Sequence, residues 1–317
     1  MRAASRIKRL QKINADNKKV IAISIYVSGV FLFGSLLAWP LWELIQNTPI
    51  KTWHPSINNA TFGRVTNRSF LITALLGIWP LSRHLKCSSK SDFGFNITKQ
   101  NFSKEFLRGY GLGIISLTAL ALILYFSKLI IPRDNISTHM ISSAIIGGII
   151  TGIIVGFIEE IFFRGILTRV FSLASNFTLA VLASSFIYAA VHFIKGPSHM
   201  IYEQIHWYSG FIHLKNAFHL YTNSAFIGSF LTLFTVGIFL AALTLKRGNI
   251  ALAIGTHAGW VCIIKITQTC TTRNNNSPQR WLIGNYDNIT GYLAFAWLII
   301  ICLIAWHLLT KKHLSYA

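Results

Sequence analysis

Two adjacent carboxylates, Glu159 and Glu160, stand inside an apolar run that reads Ile153-Ile154-Val155-Gly156-Phe157-Ile158-Glu159-Glu160-Ile161-Phe162-Phe163-Arg164-Gly165. A carboxylate at the centre of a bilayer costs about 2.5–3.5 kcal/mol on insertion scales, so such residues are kept for pairing or for function. Glu160 and Arg164 are four residues apart and can pair on one helix face. That turns Glu159 about 100° away from the pair. Burial makes a carboxylate hold its proton more tightly, which suits the taking and returning of a proton from water. The plain structural alternative is a Glu–Arg brace near the interface, with Glu159 snorkelling towards water.

Two further polar intrusions fall in apolar segments. The chain breaks near Ser175-Asn176; Glu159 lies 17 residues before position 176 and His192 lies 16 after it. In an antiparallel hairpin those positions share a depth, roughly 25 Å from the turn, and an imidazole beside a carboxylate can hold a water between them. The structural alternative is an interfacial histidine. The other intrusion is Thr256-His257, within Ala253-Ile254-Gly255-Thr256-His257-Ala258-Gly259-Trp260-Val261; a packing histidine is its alternative. Gly148, Gly152 and Gly156 form a small-xxx-small ridge that lets a second helix come close to the acidic face. The hairpin geometry points to the helix carrying His192 as that neighbour.

The elements that must position these groups are membrane helices. Of 317 residues, 53% are hydrophobic and 12% charged, where a soluble domain carries about 25% charge. Eight apolar runs, near 20–45, 68–84, 107–131, 140–170, 176–194, 224–245, 249–270 and 290–310, are long enough to cross a bilayer. The fold class expected is therefore all-α and polytopic, with the site in the helical core. The net charge of +20 is spread in short clusters between the runs, which argues against nucleic acid. With both termini in the cytoplasm, 19 of the 29 basic residues fall on the inner side, as the positive-inside rule requires. The run behind the basic N-terminus is too long for a signal-peptide core and reads as an uncleaved span. Cys87, Cys262, Cys270 and Cys302 show no metal or disulfide spacing.

In order along the chain, these motifs resemble those of the CAAX-protease and bacteriocin-processing (Abi) family of intramembrane endopeptidases. The family's Glu-Glu-x-x-x-Arg is complete as Glu159-Glu160-Ile161-Phe162-Phe163-Arg164. Its Phe-x-x-x-His appears as Tyr188-Ala189-Ala190-Val191-His192, with Tyr188 in place of Phe. Its His-x-x-x-Asn begins at His257, with Val261 where the family has Asn. The resemblance covers roughly residues 144–270. It divides the chain into a membrane region over 1–135, of about three spans, and a peptidase-like core with a C-terminal span over 136–317.

The resemblance implies Glu159 as general base, His192 as the group that helps orient and activate the water, Glu160 and Arg164 as a brace, and His257 facing the scissile carbonyl and stabilising the developing oxyanion. Val261 cannot donate the hydrogen bond supplied by the family's Asn, so Thr256, Trp260 or backbone amides near Gly255 would have to. A zinc set of Glu159, His192 and His257 is chemically plausible. The His-Glu-x-x-His signature is absent, and the resemblance favours a metal-free glutamic mechanism. It also implies a membrane-anchored or lipidated peptide as substrate and a bacterial inner membrane as location. Two other functions fit the same residues: a non-catalytic scaffold or immunity protein, and a proton-coupled transporter. Between the fifth and sixth runs, His192, His199, His206 and His213 recur every seven residues among aromatics, which reads as an amphipathic helix in the headgroup layer or as a gate.

Overall fold

The computed structural model describes residues 2–52, 57, 60–85, 89–174, 176–194, 205–217, 224–284 and 286–314. In chain order its helices are α1 (Arg2–Gln46), α2 (Phe62–His84), α3 (Lys99–Phe126), α4 (Thr138–Glu160), α5 (Arg169–Ala174), α6 (Phe177–His192), α7 (Ser209–Ala217), α8 (Ser224–Arg247), α9 (Ala251–Cys270) and α10 (Tyr292–Leu314). A π-helical stretch, Ile161–Thr168, joins α4 to α5. Two three-residue strands, β1 (Ile130–Pro132) and β2 (Thr271–Arg273), pair antiparallel.

Each of the eight apolar runs contains a helix. Among the described residues, four stretches are long and apolar enough to cross a membrane: Lys18–Gln46, Lys99–Phe126, Thr138–Ser172 and Phe226–Arg247. The chain is an integral membrane protein on this ground, with four crossings qualifying rather than eight. α9 falls outside that set because Thr256, His257, Lys265 and Gln268 lower its mean hydropathy; residues 251–260 are all buried, so protein surrounds Thr256 and His257. The third run ends earlier than expected. Lys128 takes a left-handed backbone at φ 56, and the chain then enters β1, so the all-helical expectation gains a short ladder.

The chain forms two compact units, one of residues 1–88 with 190–223, the other of residues 89–189 with 224–317. α3 packs on α9 within the second unit. In the first unit α1 and α2 lie together, with the Tyr26 hydroxyl donating to the Ala74 carbonyl at 2.6 Å and Ser69 Oγ to the Gly34 carbonyl at 2.6 Å. α7 seats Gly210 against the backbone of Ser35. His213 is fully buried on α7 beside Asn67 Oδ1, so the heptad of histidines is not one water-facing stripe; His199 lies outside the described residues.

The second unit is built on α9. Gly109 and Gly113 of α3 meet the Leu252 and Thr256 carbonyls, while Gly255 and Gly259 of α9 meet the Phe106 and Tyr110 carbonyls. On another side Gly148, Gly152 and Gly156 of α4 rest on Cys262, Ala258 and Ile254. The ridge's partner is thus α9, and not the helix of His192 that hairpin depth suggested. Register shows α3 parallel to α9 and α4 antiparallel to it. Backbones this close leave no room for a Cβ, so the seams rest on dispersion contact, the main attraction between helices in lipid. The β1–β2 ladder ties the ends of α3 and α9 at one level, with Arg133 N donating to the Cys270 carbonyl at 3.0 Å.

Gly152→Leu would drive a side chain into the Ala258 carbonyl. A loss of about 1–3 kcal/mol or more is expected from such overpacking, read as a lower unfolding midpoint in detergent. Gly111→Leu, where a Cβ meets nothing within 4 Å, serves as the control and should leave that midpoint in place.

Candidate active site

Ser137 starts α4 by accepting from Met140 N at 3.2 Å, and the helix delivers Glu159 and Glu160 at its last turn. There the backbone widens into the π stretch, with Thr168 Oγ1 donating to the Phe163 carbonyl five residues back at 2.8 Å. Single π turns inside α-helices occur often at functional sites. The widening follows the acidic pair and carries Arg164 inward.

Glu160 is fully buried, and its Oε1 is the hub. It accepts from Arg164 Nη1 at 3.0 Å and lies 2.8 Å from His257 Nδ1. A carboxylate only accepts, so Nδ1 carries the proton that points at Glu160. Arg164 also reaches the Gly237 carbonyl of α8 at 3.5 Å, and its guanidinium stacks on Tyr188 at 4.4 Å from the ring centroid. Gly237 is a close-approach position, because a Cβ there would lie 2.7 Å from Ser185 Cβ of α6. Tyr188 is buried, edge-on to Phe163 at 5.0 Å and to His257 at 6.3 Å.

With Nδ1 fixed, the other ring nitrogen of His257 faces the second carboxylate: Nε2 lies 3.8 Å from Glu159 Oε2. The Glu159 side chain is 25% exposed where that of Glu160 is 0%. The inner acid is therefore structural in its contacts, while the outer acid keeps part of its side chain exposed although its Oε2, the oxygen nearest His257, is buried. Thr256 and Trp260 turn their donors elsewhere. Thr256 Oγ1 donates to the Leu252 carbonyl at 2.9 Å, and Trp260 Nε1 to Ser116 Oγ of α3 at 2.9 Å. His192 is the last residue of α6 and belongs by its contacts to the first unit.

Glu159, Glu160, Arg164, Tyr188 and His257 thus come together in the second unit. Residues 141–263 match a peptidase family. The family is described as type II CAAX prenyl endopeptidase, Rce1-like, and the match bears out the resemblance read from the motifs. It spans α4 to the middle of α9, and so includes every residue of this cluster and Val261. No curated protein matches the chain, and no solved structure does.

The direct Glu160–His257 contact was not foreseen; the four-residue spacing of Glu160 and Arg164 had already assigned Glu160 a partner. The cue was the glycine ridge, whose last step leads into Glu160. For zinc, no three His, Cys, Asp or Glu side chains gather as a ligand set among the described residues.

Removing one partner of a buried ion pair strands the other, at a cost of about 3–5 kcal/mol. Glu160→Ala should therefore destabilise the protein by that amount in detergent unfolding, because Arg164 loses its carboxylate and keeps the longer contact to Gly237 and its stacking on Tyr188. Glu159→Gln, an isosteric change at a partly exposed side chain, should cost far less. Equal losses in the two variants would contradict the division of labour drawn from their burial.

Proposed function

We propose that the chain is an intramembrane endopeptidase that hydrolyses a peptide bond of a membrane-anchored or lipidated substrate. The observation that carries this reading is the arrangement of Glu159 and His257 Nε2, 3.8 Å apart with His257 locked from behind by Glu160. That separation is too long for a direct hydrogen bond but lets one water lie about 2.8 Å from both groups. Held by two acceptors, the water turns a lone pair outward to a substrate carbonyl. As its oxygen bonds to the carbonyl carbon, Glu159 takes a proton. Collapse of the intermediate breaks the C–N bond, and the proton passes from Glu159 to the leaving nitrogen. General acid–base work of this kind contributes about 10²–10⁴-fold to rate. In this reading Glu160 positions His257, and Arg164 and Tyr188 hold Glu160; the water-orienting role of His192 rests on the family resemblance.

The family description supports a prenylated CAAX peptide as the first substrate to try. The metal-free form is preferred because the family resemblance favours it and the His-Glu-x-x-His signature is absent. The expected result is that the purified protein cleaves an internally quenched, farnesylated CAAX peptide in liposomes, and that strong chelation leaves the rate unchanged. Glu159→Gln should lower kcat at least 10²-fold with folding intact. Full cleavage by that variant would sink the peptidase reading; loss of activity on chelation, restored by zinc, would replace the glutamic mechanism with a metal-dependent one.

A further inference from the structure

The cluster around Glu159 draws nothing from α1 or α2, yet these two helices build a cavity of their own. They run antiparallel, tied by the Tyr26 bond to the Ala74 carbonyl and the Ser69 bond to the Gly34 carbonyl. Between them lies a groove of about 570 Å³, within the usual range of small-ligand sites.

Two glycines keep the groove open. A Cβ at Gly77 would lie 2.7 Å from the Tyr26 ring, so its absence lets that ring fold down against α2. A Cβ at Gly29 would meet, among the described residues, only the Phe33 ring at 3.8 Å. Ile21, Ile25, Val30 and Phe33 of α1 and Leu81 of α2 line much of the rest. The two hydroxyls on the wall are turned to backbone, Tyr26 to Ala74 and Thr73 Oγ1 to the Ser69 carbonyl at 2.8 Å. From Ile21 to Phe33 the groove follows twelve residues of helix, about 18 Å. That is close to the roughly 15 Å filled by the chains of one leaflet.

One end has the opposite character. Lys18 and His84 line it, both are exposed, and the register of α1 on α2 sets them level with each other. An ammonium offers three donors, and an imidazole offers at least one in any protonation state. Lys19 and Arg83 adjoin them. The Arg83 guanidinium rests 4.7 Å from the centroid of the exposed Trp79 ring, and tryptophans of this kind mark the headgroup level. The first nineteen residues carry seven basic side chains against one acid, Asp16.

We propose that this groove binds an anionic glycerophospholipid, with one acyl chain along its floor and the phosphate held at the mouth by Lys18 and His84. The site is separate from the peptidase reading, and neither depends on the other. Charge and shape select the occupant. An amphiphile with an anionic head and one long chain matches the basic mouth and the apolar body together, whereas a partner helix would have to cover Lys18 and His84 with its own apolar face. Basic pockets between membrane helices hold anionic headgroups in this way.

The test offers the delipidated full-length protein equal amounts of phosphatidylglycerol and phosphatidylcholine with identical chains, and reads the retained lipid by native mass spectrometry. The wild type should retain phosphatidylglycerol in preference. Lys18→Gln should weaken that retention about fivefold, and Lys18→Gln/His84→Phe should remove the preference. Gly29→Leu, which fills the groove where the backbone has room, should weaken retention of phosphatidylglycerol with the mouth intact. Lys104→Gln, which removes a basic charge from α3, is the control and should change nothing. Unfolding midpoints confirm that each variant is folded; were Gly29→Leu to unfold, the pair at the mouth decides alone. Equal retention of the two lipids by the wild type overturns the proposal, as does a loss in Lys104→Gln matching that in Lys18→Gln. One-for-one displacement of phosphatidylglycerol by a farnesylated peptide would make the occupant a substrate chain and overturn the phospholipid assignment.

Discussion

Glu160 is the group on which the second unit turns. A carboxylate with no solvent exposure in a membrane-spanning helix is tolerated only when its charge is answered, and Oε1 is answered twice, by Arg164 at 3.0 Å and His257 at 2.8 Å. The pair with Arg164 is local and needs only one helix. The contact with His257 joins residues 97 positions apart and fixes α4 against α9. A buried ion pair is poor evidence for stability in itself, because desolvation offsets much of the attraction. What it supplies here is specificity: the imidazole is held in one tautomer with one nitrogen presented to Glu159.

That contact is possible only because the helices nearly touch. Side chains of ordinary size hold helix axes 8–10 Å apart; the glycines of α3, α4 and α9 remove that layer, and a Cβ at Gly156 would already lie 3.0 Å from the Ile254 carbonyl. Close packing along α9 also buries Thr256 and Trp260, whose donors are drawn into helix contacts. The same geometry that brings His257 to the acids thus removes two polar groups from the accessible space. Next to it, the Gly237 approach to α6 brings Tyr188 onto Arg164, so the guanidinium is covered on its apolar face and hydrogen-bonded at its edge.

A large part of the site was legible in the sequence for definite physical reasons. Acidic residues are scarce in an apolar chain, so the Glu159-Glu160 pair stood out, and the four-residue spacing to Arg164 is fixed by the helix itself. Helical organisation followed from the length of the apolar runs. Other features misled. Hairpin depth made the helix of His192 the natural neighbour of the glycine ridge, because chain order favours adjacent elements. Trp260 looked available because it follows His257 at helical spacing, yet its partner Ser116 lies 144 residues away.

The amino-acid sequence by itself determined that this protein is a helical membrane protein with an acidic pair and histidines set in apolar runs, since those facts depend on composition, period and local spacing. The tertiary structure alone decided that Glu160 rather than Glu159 takes the buried brace to His257, that α9 is the helix the glycines receive, and that Trp260 turns its donor to Ser116. Those are contacts between segments far apart in the chain, set by which backbones can approach, and no local pattern encodes them.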